Sequence, residues 1–225
     1  MKLHKWVFIG IVNAMVLLNS CTSAFINEIS RSEDFYLNNA NPETAIVIGT
    51  EDVVLNDFVK TFYRKYSDYH KFAADYVNQF TVSLKNANVL ARVEADTSFR
   101  WGPEIYYSYF ANDKKTSDSI VIRQGADYLI RISGFEVSNH VQTNLIPGGS
   151  NNPPMYNTVE YCIVQSHFQV IDVKTHQTLL EFISTGKRSV VFFTYEAAFN
   201  IAFNSSIERA IEFLKTGKRE FHKQD

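Results

Sequence analysis

Apolar positions along the chain change period several times, and each change marks an element. Between Tyr69 and Lys85, Phe72, Ala73, Tyr76, Phe80 and Leu84 recur three and four residues apart, which places them on one face of a helix. Asp68 stands where an N-cap is needed, and Asn86 to Asn88 close the segment. From Glu196 to Lys215 the same spacing returns through Ala198, Ile201, Ala202, Ile207, Ala210, Ile211 and Leu214, with Gly217 placed to end the helix. Elsewhere the signal is that of strands. Ala45–Ile48 is a short apolar run ending at Gly49, and Val89–Val93 is another. In Ala126–Ser138, Tyr128, Ile130 and Ile132 alternate with Leu129 and Arg131. Tyr156–Val173 predicts a longer strand, with Cys162, Val164, Phe168 and Val170 on one side and Tyr161, Gln165, His167 and Gln169 on the other. One covered face and one wetter face fit an antiparallel sheet. Asp172–Gln177 reads as a turn, and Thr178–Ser184 as the returning partner strand.

Four stretches are less regular. Val53–Tyr63 supports a helical stripe through Val54, Phe58 and Phe62, yet its β-branched content also suits a strand. Ser117–Gln124 predicts a short helix capped by Ser117 and closed by Gly125, and Asp118-Ser119-Ile120 within it also matches a short O-glycosylation pattern. Asn139–Tyr156, centred on Pro147-Gly148-Gly149-Ser150-Asn151-Asn152-Pro153-Pro154, is expected to be a mobile hairpin connection unable to pack a core. Arg100–Phe110 is dense in aromatics, including Trp101, Tyr106, Tyr107 and Tyr109. It is either a platform for a sugar or a partner protein, or a segment covering the core. The order strand, helix, strand, short helix, three strands, helix predicts an α/β (α+β) domain. Helices would pack on a mixed sheet whose C-terminal half is an antiparallel meander.

The first residues follow a different logic. Lys2 and Lys5 precede a 13-residue apolar run, Trp6–Leu18, interrupted only by Gly10 and Asn13. The run is too short to span a bilayer as a helix and suits the apolar region of a secretory signal. Leu18-Asn19-Ser20-Cys21 follows, and this arrangement resembles the bacterial lipoprotein signal, with Asn19 departing from the usual pattern. The resemblance implies lipid (palmitate-type acyl chains) at Cys21, cleavage before it and attachment to the membrane through that anchor. Thr22 in place of Asp favours the outer membrane by analogy with enteric lipoproteins, and no acidic run after Cys21 directs the chain outward, so a periplasm-facing position is expected. Two or more acyl chains hold a protein stably where one does not. The expected organisation is therefore a signal peptide over 1–20, a lipidated Cys21 with a tether over 21–43, one domain over 44–217 and a basic tail over 218–225. A flexible tether of that length would reach about 25 Å, although Phe25, Ile26, Phe35 and Tyr36 could dock part of it on the domain.

Charge narrows the partners. The chain carries 22 basic and 24 acidic side chains, and loss of the leader with Lys2 and Lys5 makes it more acidic. That balance argues against a nucleic-acid partner, which requires a clustered positive surface. With Cys21 lipidated, Cys162 stands alone, so neither a disulfide nor a cysteine-based zinc site is expected, and its strand-like surroundings predict a buried inert thiol.

Reactive chemistry is sparse. The chain contains no Gly-x-Ser-x-Gly, no His-Glu-x-x-His and no phosphate-cradling glycine loop. His4, His70, His140, His167, His176 and His222 show no metal-ligand spacing. His167 and His176, across the predicted hairpin, are expected to be exposed and to lack a third ligand. Glu51-Asp52 is an acidic pair at a strand end, but adjacent side chains on an extended backbone diverge, so a solvated loop is expected. No catalytic residue, metal or cofactor is assigned.

Gly125-Ala126-Asp127-Tyr128-Leu129-Ile130, the turn Asp172-Val173-Lys174-Thr175 and the alanine-rich last helix together resemble the domain shared by CsgG-type secretion lipoproteins, the TolB N-terminal domain and LpoB-type activators. The resemblance spans roughly residues 44–215. It implies a non-enzymatic envelope lipoprotein that works by binding another envelope protein. The membrane-inserting strands of the secretion pores have no counterpart in the chain. Candidate partner-binding residues are Trp101, Tyr106, Tyr107, Tyr109, Asn151 and Tyr156. The alternative is an envelope glycan-binding protein or hydrolase using the same two segments, 100–110 and 139–156.

Overall fold

A computed structural model of the chain describes residues 22–32, 35, 37, 43–97, 125–146 and 155–218. They form a seven-stranded mixed sheet with helices on one face, an α+β fold. The strands are β1 (Thr22–Arg31), β2 (Thr44–Gly49), β3 (Val53–Leu55), β4 (Arg92–Asp96), β5 (Tyr128–Ile146), β6 (Met155–Asp172) and β7 (Thr178–Ser189). The helices are α1 (Val59–Lys65), α2 (Tyr69–Asn86) and α3 (Tyr195–Thr216). Spatial order is β1-β7-β6-β5-β2-β4, with β3 paired to β5. β5, β6 and β7 make the antiparallel meander, β1 adds antiparallel to β7, and β2 runs parallel to both β4 and β5.

The ambiguous stretch Val53–Tyr63 resolves into both readings. β3 takes its first residues and α1 its last, with Phe62 fully buried. β2 and β3 lie in succession along the same edge of β5, Gly49 opposite Ile132 and Val53 opposite Phe135. Helix α2 starts as its pattern requires: the Asp68 carboxylate accepts from the Lys71 amide at 2.8 Å. α3 ends at Gly217 in the left-handed region, where the Gly217 amide donates to the Phe213 carbonyl. β4 begins three residues later than the predicted strand, at Arg92. The expected helix 117–124 and the aromatic stretch 100–110 lie outside the described residues.

The core lies between the helices and the sheet. Phe72, Tyr76 and Phe80 of α2 meet Phe135 and Phe168 of the sheet and Phe199 and Phe203 of α3. Phe168 and Phe182 stack at 4.9 Å across β6 and β7, and Phe213 closes on Phe182 edge to face. Cys162 is buried here; burial pushes its thiol well above the usual range, as does the nearness of Asp57 and Glu160, so it is inert at neutral pH. The opposite face buries a smaller group, Ile46, Ile48, Ala126, Leu129 and Ile171, with Val173 packed against it.

Three residues quoted for the family resemblance have local work to do. Gly125 takes φ +62°, a region that favours glycine. Asp127 accepts from the Thr44 amide at 3.0 Å and from Lys174 at 3.3 Å. Its slight burial raises its pKa, but the bonds from Thr44 and Lys174 outweigh that and hold its carboxyl below the ordinary value. Asp127 therefore ties the start of β2 to the turn between β6 and β7.

Two expectations require correction. Of the two readings of the stretch after Cys21, docking through Ile26 and Phe35 holds and the free tether does not, while Phe25 stays exposed. Thr22–Arg31 is an edge strand, Ile26 is buried, Ser32 donates to Leu179 and Leu37 to Leu214, and Phe35 meets Tyr128 edge to face at 5.6 Å. Arg31 reaches over the Phe213 ring at 4.9 Å and onto Glu28 at 3.0 Å, clamping the far end of the strand. The polar composition concealed this, because an edge strand needs only alternate residues inside. Second, Asn139–Ile146 and Met155 are strand and not connection, and Tyr156, which ended the one stretch and began the other, belongs to the strand. The Pro- and Gly-rich centre drew the boundary outward, while Val141, Thr143 and Leu145 continue the β pattern past it.

Candidate functional site

The meander is unequal in length. The last pairing of β7 with β6 is Ser189 with Tyr161, whereas β5 and β6 continue to pair from Val141 with Glu160 out to Ile146 with Met155. The six pairs past β7 form a two-stranded arm about 20 Å long, at 3.2–3.4 Å per residue. A two-stranded ribbon alone in water is marginally stable. The arm nevertheless exposes Val141, Leu145, Ile146, Met155 and Tyr156, the last 74% accessible. Among the described residues, both of its edges are open to strand addition beyond the first pair, where the Glu160 carbonyl is taken by the Val190 amide.

At the base of the arm, β7 passes into α3 through Val190–Thr194. The Val190 amide donates to the Glu160 carbonyl, and the Tyr195 hydroxyl reaches the Glu160 carboxylate at 3.4 Å. Phe192 and Phe193 crown this turn. They are 76% and 86% exposed, and both backbones lie in the left-handed region, φ 48° and 62°. Thr22, the first described residue of β1, pairs with Arg188 one position from the end of β7. The arm, the two phenylalanines and the start of β1 therefore share one end of the sheet.

The face of the sheet opposite the helices carries a polar row. Residue pairing between β5 and β6 slips between Ile132 and Gly134, leaving Ser133 as the extra residue of a bulge. Its hydroxyl lies 2.9 Å from His167 Nδ1, and His167 Nε2 lies 2.8 Å from Glu181 Oε1. The carboxylate can only accept, so Nε2 carries a proton toward it; in the neutral imidazole Nδ1 then accepts from Ser133. Gln169 donates to the same Glu181 oxygen, and Arg131 donates to Gln169. A hydroxyl held by an imidazole that is itself held by a carboxylate is the contact pattern of an activated nucleophile. Here it sits on three neighbouring strands. His167 is thus half-buried, contrary to the exposure expected of it, whereas His176 is exposed in the turn.

Of the residues expected from sequence to carry lipid or bind a partner, only Tyr156 falls within the described set, near the tip of the arm. Cys21, Trp101, Tyr106, Tyr107, Tyr109 and Asn151 lie outside it. Phe192 and Phe193 were not singled out, although four consecutive apolar residues, Val190 to Phe193, between a strand and a helix are a usable signal. Ser133 and Glu181 had no signal, because cross-strand register and a bulge brought them to His167. Among the described residues, no group of three or more His, Cys, Asp or Glu side chains could hold a metal, and no helix is long and apolar enough to cross a membrane.

No family model and no curated protein matches the chain. Solved structures similar to it include a PelC dodecamer from Paraburkholderia phytofirmans, at 12% identity over 82% of this chain and 97% of that one, with a TM-score of 0.35. A neuraminyllactose-binding hemagglutinin homolog from Helicobacter pylori aligns at 10% identity over 84% and 94%, TM-score 0.45. A PDZ domain protein from Parabacteroides distasonis aligns at 11% identity over 87% and 38%, TM-score 0.29.

Proposed function

We propose that the chain is a non-enzymatic lipoprotein of the cell envelope, attached through Cys21 at the outer membrane on its periplasmic side, and that it binds another envelope protein. The β5–β6 arm carries this reading. A solitary ribbon with an apolar tip is unfavourable in water and is used when a partner covers it. Its backbone edges offer hydrogen bonds for strand addition, and Leu145, Ile146, Met155 and Tyr156 offer side chains for recognition. A photoreactive residue at position 156 is expected to crosslink a discrete envelope protein in cells, identified by mass spectrometry. The same residue at Lys85, exposed at the end of α2, should not. Recovery of no protein from position 156 removes the basis of the reading.

The Ser133–His167–Glu181 row favours a second reading, an envelope hydrolase. A fluorophosphonate probe would then label the protein, and Ser133→Ala would abolish the label. An unlabelled parent protein disposes of it.

A further inference from the structure

We infer that the Phe192–Phe193 turn is a membrane wedge, seated among the lipids to which the chain's N-terminus is attached. The inference extends the lipoprotein reading and rests on it for which surface is nearby. It begins from two unfavourable features at one place. Left-handed backbone is uncommon for residues other than glycine, asparagine and aspartate. Two successive phenylalanines adopt it here, and they are the two most accessible large apolar side chains among the described residues. Neither ring is needed by the core, and Asn or Gly would turn the chain at less strain. Such a turn gains only where an apolar medium takes up the rings.

The position of the chain's start says which medium. β1 begins at Thr22, directly after Cys21, and Thr22 pairs with Arg188 at the same end of the sheet. One residue spans about 3.8 Å, so an acyl anchor at Cys21 keeps this end of the sheet near the bilayer. Charge agrees with that placement. Lys187 and Arg188 lie beside Ser23 and Thr22, with Lys187 also 4.0 Å over the Tyr161 ring. Cations and a tyrosine behind an apolar tip suit a headgroup layer containing anionic lipid. Three acidic side chains lie near the turn: Glu160 is engaged by Tyr195, Glu196 pairs with Arg64 at 2.9 Å, and Asp57 lies near Tyr195.

Depth-resolved fluorescence tests the wedge. Trp6 and Trp101 are changed to Phe in the full chain, and Phe193→Trp supplies the only indole. Thr175→Trp, in the exposed turn at the opposite end of the sheet, is the control. Each protein is bound to phosphatidylethanolamine–phosphatidylglycerol vesicles with or without brominated acyl chains. The indole at 193 is expected to shift to the blue and to be quenched by brominated lipid, while that at 175 stays water-like. Water-like, unquenched emission at 193 in vesicle-bound protein overturns the inference. So does a blue shift without vesicles that grows with protein concentration, which would assign the turn to a second copy of the chain. A paired change, Phe192→Ser with Phe193→Ser, in a chain carrying Cys21→Ser is expected to lower vesicle partitioning by about 100-fold relative to Cys21→Ser alone. Circular dichroism confirms that the paired variant is folded, and unchanged partitioning of folded protein also overturns the wedge. The lipoprotein reading fails separately, if an alkyne-tagged fatty acid fed to cells leaves the parent protein unlabelled or labels Cys21→Ser equally. The indole measurement is made on vesicle-bound protein and does not depend on that outcome.

Discussion

Replacing Gly186 with alanine is expected to destabilise the domain by about 4 kcal/mol or more, or to prevent folding. Gly186 lies in β7 where α3 crosses it. A Cβ built there would stand 1.9 Å from the Ala202 carbonyl oxygen and 2.7 Å from the Ser206 amide nitrogen. Both are backbone atoms of a helix, so no side chain can swing aside. The helix must lift, and with it go the Ser184 hydroxyl's bond to the Ser206 carbonyl at 2.6 Å and the buried contacts of Phe199 and Phe203. Urea unfolding followed by circular dichroism measures the effect. Gly134→Ala is the comparison, since its nearest neighbour is an Asp52 carboxylate oxygen at 3.7 Å, an ordinary contact. It should cost no more than about 1 kcal/mol. Equal midpoints for the two variants would mean that α3 does not lie as close to the sheet as described.

Tyr76→Ala should cost about as much, roughly 4–5 kcal/mol, and Tyr76→Phe about 1–3 kcal/mol. Tyr76 is fully buried at the meeting point of α2, α3 and the sheet. Its ring packs 5.0 Å from those of Phe135 and Phe203, and its hydroxyl bonds to Ser166 of β6 and, at 2.9 Å, to Ser206 of α3. Burial pushes the phenol well above its usual range, and the two serine bonds only partly offset that, so it stays neutral throughout the working pH range. The alanine variant loses the ring and leaves a cavity. The phenylalanine variant keeps the ring but deprives Ser166 of this partner, whereas Ser206 still donates to the Phe203 carbonyl at 2.7 Å. The difference between the two variants therefore separates packing from hydrogen bonding. Both are read from the same denaturant titration.

The α+β class and most elements were legible from periodicity. Phe72, Ala73, Tyr76, Phe80 and Leu84 marked one helix, and all five are buried. Cys162, Val164, Phe168 and Val170 marked the covered side of β6, and all four are buried too. These signals are strong because a continuous core demands apolar side chains at every turn or every second residue. β1 was hidden because an edge strand buries only alternate residues, here Ile26, and tolerates the Asn, Glu and Ser that suggest a linker. The arm was half-hidden because pairing with a single neighbour requires no buried residue at all.

The candidate sites divide in the same way. Tyr156 was visible as an aromatic beside a Pro- and Gly-rich stretch. Ser133, His167 and Glu181 are 34 and 14 residues apart along the chain, and only the register of three strands, shifted by the bulge at Ser133, brings their side chains together. Local composition thus settled where the chain is helical, where it is extended and which faces are apolar, since each follows from a repeat a few residues long. Strand order, the close crossing at Gly186, the meeting of Ser133 with His167, and the gathering of Thr22, the arm and Phe192–Phe193 at one end were decided by tertiary structure. Those are relations between distant segments, and they arise only when burial of a shared core selects one pairing among many.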